Sequence, residues 1–97
     1  MFASLTTVRG PAATGEVARM AGEAMLTWLR EFDGYRGLVI LSTEEAGNVR
    51  ILTLWESKKA LEASEQSRRV MRERMVETAG AELESAEAYE IVLSDGL

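Results

Sequence analysis

Two neighbouring stretches, GYRGLVILST (Gly34 to Thr43) and VRILTLWE (Val49 to Glu56), limit this chain most. Both read as strands, and the turn-type segment Glu44 to Asn48 joins them as a hairpin. The run Leu38-Val39-Ile40-Leu41 is apolar on both faces. In the next strand Val49, Ile51, Thr53 and Trp55 share one side, and Leu52 and Leu54 take the other. A sheet with two apolar faces needs a cover on each. One layer of helices supplies only one.

The rest of the chain supplies that layer. FASLTTVR (Phe2 to Arg9) is a first strand, broken by Gly10 and Pro11. Thr14 is placed to cap a helix of about 17 residues. Its apolar face runs through Val17, Met20, Ala21, Ala24, Trp28 and Phe32, widened by Met25 and Leu29, and Asp33-Gly34 ends it. Ser57 caps a second helix reaching about Ala79, with Ala60, Leu61, Ser64, Ser67, Met71 and Met75 on one face. The polar stretch Ser64 to Ser67 predicts a break there, and Gly80 predicts the end. An acidic connector, AELESAE, then leads to a last strand over Ala88 to Ser94, with Tyr89, Ile91 and Leu93 on one face.

The order is βαββαβ over residues 1–97, a single ferredoxin-like α+β domain. The expected sheet has four antiparallel strands, with strands one and three central and both helices on one face. Pairing of two sheet faces in a homodimer is the simplest cover for the second apolar face.

Composition removes several kinds of function. The 97 residues contain no histidine and no cysteine. Histidine triads, imidazole-bound metal centres, thiol nucleophiles and disulfides are excluded. The net charge of −5 argues against nucleic acid or an anionic membrane as partner. MFASLTTVRG lacks the basic start and long apolar run of a signal peptide, and no stretch is long enough to span a bilayer, so a cytoplasmic chain is expected. The scattered glycines form no phosphate loop.

"FDGYRGLVIL", "VRILTLWESKKALEAS" and "AYEIVLSDG" together resemble the antibiotic biosynthesis monooxygenase-like family of the dimeric α+β barrel superfamily. The resemblance covers nearly the whole chain in element order. It implies a homodimer packed through its sheets, with a pocket in each subunit between sheet and helices. Some members oxidise aromatic, polyketide-like molecules with oxygen and without metal or flavin; others degrade haem. The haem-degrading branch uses a first-strand Asn, a third-strand Trp and a second-helix His. Here only Trp55 matches: the first strand offers Ser4, Thr6 or Thr7, and the second helix offers Glu65 or a neighbour. The cofactor-free oxygenases also lean on an Asn and on tyrosines, and this chain has only Tyr35 and Tyr89.

The resulting expectation is a cofactor-free monooxygenase acting on a small apolar aromatic or polyketide-like ligand. Trp55, Thr6 and Ser4 would contact the ligand, Tyr35 the mouth and Met71 an adaptable wall, with no bound cofactor or metal. The alternative is a non-catalytic binding or structural dimer, because no acid/base group stands out. Trp55 itself reads either as pocket wall or as a packed anchor at the sheet–helix junction, and the anchor is commoner for a large aromatic. Met20, Met25, Met71 and Met75 are expected on inner helix faces. Arg50 falls on the opposite strand face. RRVMRER (Arg68 to Arg74), interleaved with Glu65, Glu73 and Glu77, reads as a solvated face. So do Glu44-Glu45 and the acidic set Glu82, Glu84, Glu87 and Glu90.

Overall fold

A computed structural model describes residues 1–11, 13–43 and 47–96. The elements are β1 (Phe2–Arg9), α1 (Gly15–Leu29), β2 (Tyr35–Ser42), β3 (Asn48–Trp55), α2 (Lys58–Ala79) and β4 (Glu82–Glu90). The sheet is antiparallel in the order β2-β3-β1-β4, so the expected ferredoxin-like architecture is present with β1 and β3 central. Among the described residues no helix is long and apolar enough to cross a membrane. Glu44 and Glu45 of the expected hairpin turn lie outside the described residues.

Both helices start where the sequence places their caps. The Thr14 hydroxyl accepts the Val17 N–H at 3.2 Å, and the Ser57 hydroxyl accepts the Ala60 N–H at 3.1 Å. Each bond satisfies a first-turn donor that the helix leaves unpaired. Gly80 closes α2 in the left-handed conformation, at φ 67°, where a β-carbon would be strained.

Three expectations change. First, α2 runs unbroken through Ser64 to Ser67. The Ser64 hydroxyl donates to the Leu61 carbonyl at 3.0 Å, so this polar side chain is satisfied inside the helix and does not interrupt it. Second, the final strand spans Glu82–Glu90, so the acidic segment is the strand and not a connector. It is an edge strand, where charged side chains reach water and discourage edge-to-edge association. Arg9 and Glu84 pair across it at 3.3 Å. Residues 91–96 carry no regular structure beyond one rung, Ile91 N–H to the Met1 carbonyl at 2.8 Å, and Leu93 is exposed.

Third, the apolar stripe of α1 turns inward through Ala21, Met25, Trp28 and Leu29, but Met20 does not follow it. Met20 is 62% exposed, whereas Gly22 and Leu29 are buried. The cause is close approach: a β-carbon on Gly22 would lie 2.4 Å from Ile40 Cδ1. Hydrophobic periodicity gives no weight to glycine, yet glycine marks where this helix touches β2.

Packing concentrates at two places on the helix-facing side of the sheet. Val8, Ala13 and Val49 form one buried cluster, and Leu29, Trp55 and Leu61 form the other. The opposite sheet face has no helix layer. Leu5, Leu52 and Val39 sit side by side across three strands there, partly exposed. Leu41 is half exposed and Tyr89 is exposed.

Candidate functional site

A cavity of about 100 Å³ opens between the sheet and the two helices. Ser4, Thr6 and Val8 of β1 and Val49, Ile51 and Thr53 of β3 form its floor. These are alternate residues of two paired strands, and Ser4 stands directly opposite Thr53. The helices close it with Ala18, Ala21, Met25, Trp28, Met71 and Met75, among others. The floor is thus a hydroxyl row set into an apolar wall, and Ser4, Thr6 and Thr53 are all buried.

Of the five residues expected to contact a ligand, Ser4, Thr6 and Met71 line this cavity. Trp55 and Tyr35 do not. Trp55 is fully buried, with the Phe32 and Tyr35 rings edge-on at 6.0 and 5.9 Å. It reaches the cavity through Thr53, whose hydroxyl accepts the indole N–H at 3.0 Å. That bond satisfies the one polar atom of the indole and fixes the Thr53 hydroxyl. Burial raises the Tyr35 phenol above its usual pKa, opposed by the charge of Arg30. Tyr35 therefore stays neutral through the physiological range.

The arginine-rich segment departs most from expectation. Arg68 is 6% exposed and is not part of a solvated face. Its Nε donates to the Ser64 hydroxyl at 2.8 Å, and its Nη2 donates to the Leu61 carbonyl at 2.8 Å. The same Nη2 lies 3.1 Å from Glu65 Oε2, and the guanidinium carbon sits 5.2 Å from the Trp55 ring centroid. Burial lowers the Arg68 pKa, Glu65 raises it, and neighbouring Arg72 lowers it further. An arginine remains charged under such a shift. Arg72 is nearly as hidden, its side chain only 10% exposed, and its Nη2 donates to Glu65 Oε1 at 3.3 Å. Arg69 also leans on Glu65, at 3.5 Å. Arg68 and Arg72 both line the cavity.

A signal for this was present in the spacing. Leu61, Ser64, Arg68, Met71 and Met75 follow each other at three, four, three and four residues, the repeat of one helix face. Taking Ser67 in place of Arg68 breaks that repeat, and Ser67 is exposed.

Among the described residues, Arg72 Nε is a buried side-chain donor without a hydrogen-bond partner. Leaving such a group unpaired costs about 1–3 kcal/mol or more when it is charged. A second space, a groove between α2 and β4, is lined by Phe2, Leu61, Glu62, Ala86, Ala88 and others. Ser4 and Arg72 belong to the walls of both. No group of acidic side chains suited to a metal ion occurs among the described residues.

No family model and no curated protein matches the sequence. Solved structures do. A candidate antibiotic biosynthesis monooxygenase of Deinococcus radiodurans superimposes with a TM-score of 0.70 at 17% identity, covering 100% of this chain and 98% of that one. The monooxygenase from the gene ActVA-Orf6 of Streptomyces coelicolor, solved with the ligand Nanaomycin D, gives 0.68 at 20% identity, covering 99% and 89%. The haem degrader MhuD of Mycobacterium tuberculosis, solved with two haems in its active site, gives 0.66 at 18% identity, covering 99% and 100%. The residues present here do not fit a haem. The chain has no histidine or cysteine, no tyrosine is among the described lining residues, and the cavity of about 100 Å³, where only methionines could ligate iron, has no room for a porphyrin. At these identities the likeness establishes architecture: this chain has the fold of the antibiotic biosynthesis monooxygenase structures.

Proposed function

We propose that this protein is a small homodimer that binds an apolar aromatic or polyketide-like molecule in the cavity between sheet and helices, and that it acts there as a cofactor-independent monooxygenase. The observation that carries this reading is the floor of that cavity. Three buried hydroxyls, on Ser4, Thr6 and Thr53, are set among apolar and methionine side chains. A flat, oxygenated ring system would use the apolar wall for affinity and the hydroxyls for orientation. The fold shared with the Streptomyces coelicolor enzyme solved with Nanaomycin D supports the same ligand class.

The reaction needs little from the protein. A ring CH₂ made acidic by neighbouring carbonyl and phenol groups loses a proton to become a carbanion. The carbanion gives its electron pair to O₂, forming a C–O bond and a peroxide. The peroxide takes up a proton and loses water, leaving a carbonyl. One oxygen atom enters the product, the other leaves as water, and the substrate supplies the electrons. The chain's part is to hold the ring, exclude bulk water and leave room for O₂.

The cavity lies below the roughly 300–1,000 Å³ of typical ligand pockets. Met25, Met71 and Met75 line it, and their flexible side chains are suited to moving aside. Nanaomycin D is the direct probe. At a hundredfold excess over Kd, binding adds about 2.7 kcal/mol, or roughly 10–20 °C of melting temperature in a domain this small. No shift at saturating ligand overturns the pocket reading. Oxygen uptake with an anthrone then separates the two functional classes: consumption with quinone formation marks the enzyme, and binding without uptake marks a non-catalytic binder. The second reading has its own support, since no carboxylate lines the described cavity.

The homodimer rests on the uncovered sheet face of Leu5, Val39, Leu41 and Leu52. Contiguous apolar surface of this kind marks an association site. Sedimentation equilibrium at micromolar concentration is expected to return twice the chain mass, and a monomer would contradict the assembly.

A further inference from the structure

The cavity is lopsided in charge. Arg68 and Arg72 line it, and none of its described lining residues is acidic. Their counterion is Glu65, which lies outside the lining and is already shared among Arg68, Arg69 and Arg72. One carboxylate therefore faces three guanidinium groups, in a chain whose overall charge is −5. Arg68 spends its donors within the protein, on Ser64, Leu61 and Glu65. Arg72 spends Nη2 on Glu65 Oε1 at 3.3 Å, but its side chain is nine-tenths buried and, among the described residues, its Nε has no partner.

We infer that Arg72, with Arg68 beside it, seats an anionic oxygen of the ligand, so that the molecule bound here is an aromatic acid, carrying a carboxylate or an ionised phenol, rather than a neutral ring. This rests on the reading of the cavity as the ligand site. Nε is closed off from solvent, so the side chain turns as an anionic oxygen enters; the oxygen then completes the unmade hydrogen bond and balances the surplus positive charge. Arg68 does the remaining work at a distance. Held by Trp55 and Ser64, it keeps a second positive charge in a place where water screens it little. The hydroxyls of Ser4 and Thr6 are placed to orient the rest of the molecule.

The test uses the intact chain and two ligands of the same shape. Benzoate and benzamide differ in charge, and isothermal titration calorimetry measures both. Benzoate is expected to bind the wild-type protein about tenfold tighter or more, the usual effect of a charged hydrogen bond. Arg72→Gln is expected to narrow that preference to within about twofold. Arg72→Met, of similar bulk, behaves as Arg72→Gln does, and circular dichroism verifies that both variants are folded. The phenol arm uses para-nitrophenol. On binding to the wild type, the yellow ionised fraction rises at constant pH, and in Arg72→Gln it does not. A preference for benzoate without the colour change assigns a carboxylate, and the reverse assigns a phenolate. Equal binding of benzoate and benzamide by the wild type, without the colour change, overturns the inference, as does a preference that survives in both variants. If Nanaomycin D binds while neither anion test responds, the inference fails and the pocket reading stands. If nothing binds, both fail.

Discussion

Replacing Trp55 with alanine is expected to lower the unfolding free energy by about 3–5 kcal/mol, the range for removing a buried large aromatic. Urea unfolding measures it, and with a slope of about 1–3 kcal/mol per molar the midpoint moves by roughly 2 M. Several contacts go at once. The indole is fully buried between Leu29 and Leu61, its ring meets Phe32 and Tyr35 edge-on, and its face carries the Arg68 guanidinium. The Thr53 hydroxyl also loses its donor. A domain of this size has about 5–15 kcal/mol in total, so the variant is close to the limit of folding. Trp55→Phe keeps a ring in place but removes the N–H and part of the packed volume, for a cost of about 1–3 kcal/mol. A loss below about 1 kcal/mol for the alanine variant would mean that the anchor role is wrong.

Arg68→Ala is the second large effect, expected at about 2–4 kcal/mol. The estimate lies below that for a fully buried ion pair because Glu65 is partly exposed, at 38%. Removing the guanidinium strips a hydrogen-bond partner from the Ser64 hydroxyl and the Leu61 carbonyl, and uncovers the Trp55 face. Arg68→Lys keeps a charge but cannot present a flat fork to Ser64, Leu61 and the ring together, so it recovers only part of the loss. Salt separates this site from surface pairs. The loss at Arg68 should change little with added salt, because the pair is shielded from ions. Exposed pairs such as Arg19–Glu23 and Lys58–Glu62 are the contrast, each at 3.9 Å and worth little in salt. If Arg68→Ala is neutral in urea and its effect tracks ionic strength, the side chain is a surface charge after all.

These two residues also show how unevenly the site could be read from sequence. Trp55 stood out, as a large aromatic at the end of a strand and just before the Ser57 cap. Its position is as expected, but its work is packing, with the Thr53 hydroxyl as its link to the cavity. Ser4 and Thr6 were legible because alternation in β1 puts both on one face. Arg68 and Arg72 were not, because arginines interleaved with glutamates on a helix are ordinarily solvated. What makes Arg68 an exception is a ring 13 positions earlier in the chain, offering its face where the helix passes over the sheet. RRVMRER by itself does not contain that information; only the longer spacing from Leu61 to Met75 puts Arg68 on the inner face.

The sequence by itself determined the element order, the first strand, both helix caps, the glycine that ends α2, and the central place of β1 and β3. Each follows from short-range chemistry or from the handedness of crossovers, and neither needs knowledge of distant contacts. Tertiary structure alone decided how closely α1 approaches β2, which residues form β4, and that two arginines share the cavity wall. The approach of Gly22 to Ile40 leaves Met20 outside, and Trp55 beneath Arg68 draws that arginine in. The position of β4 was set by the free edge of β1, which accepts an acidic strand because one side of it remains in water. In each case the deciding partner is remote in the chain, so the energy that settles the choice exists only once the sheet and helices have met.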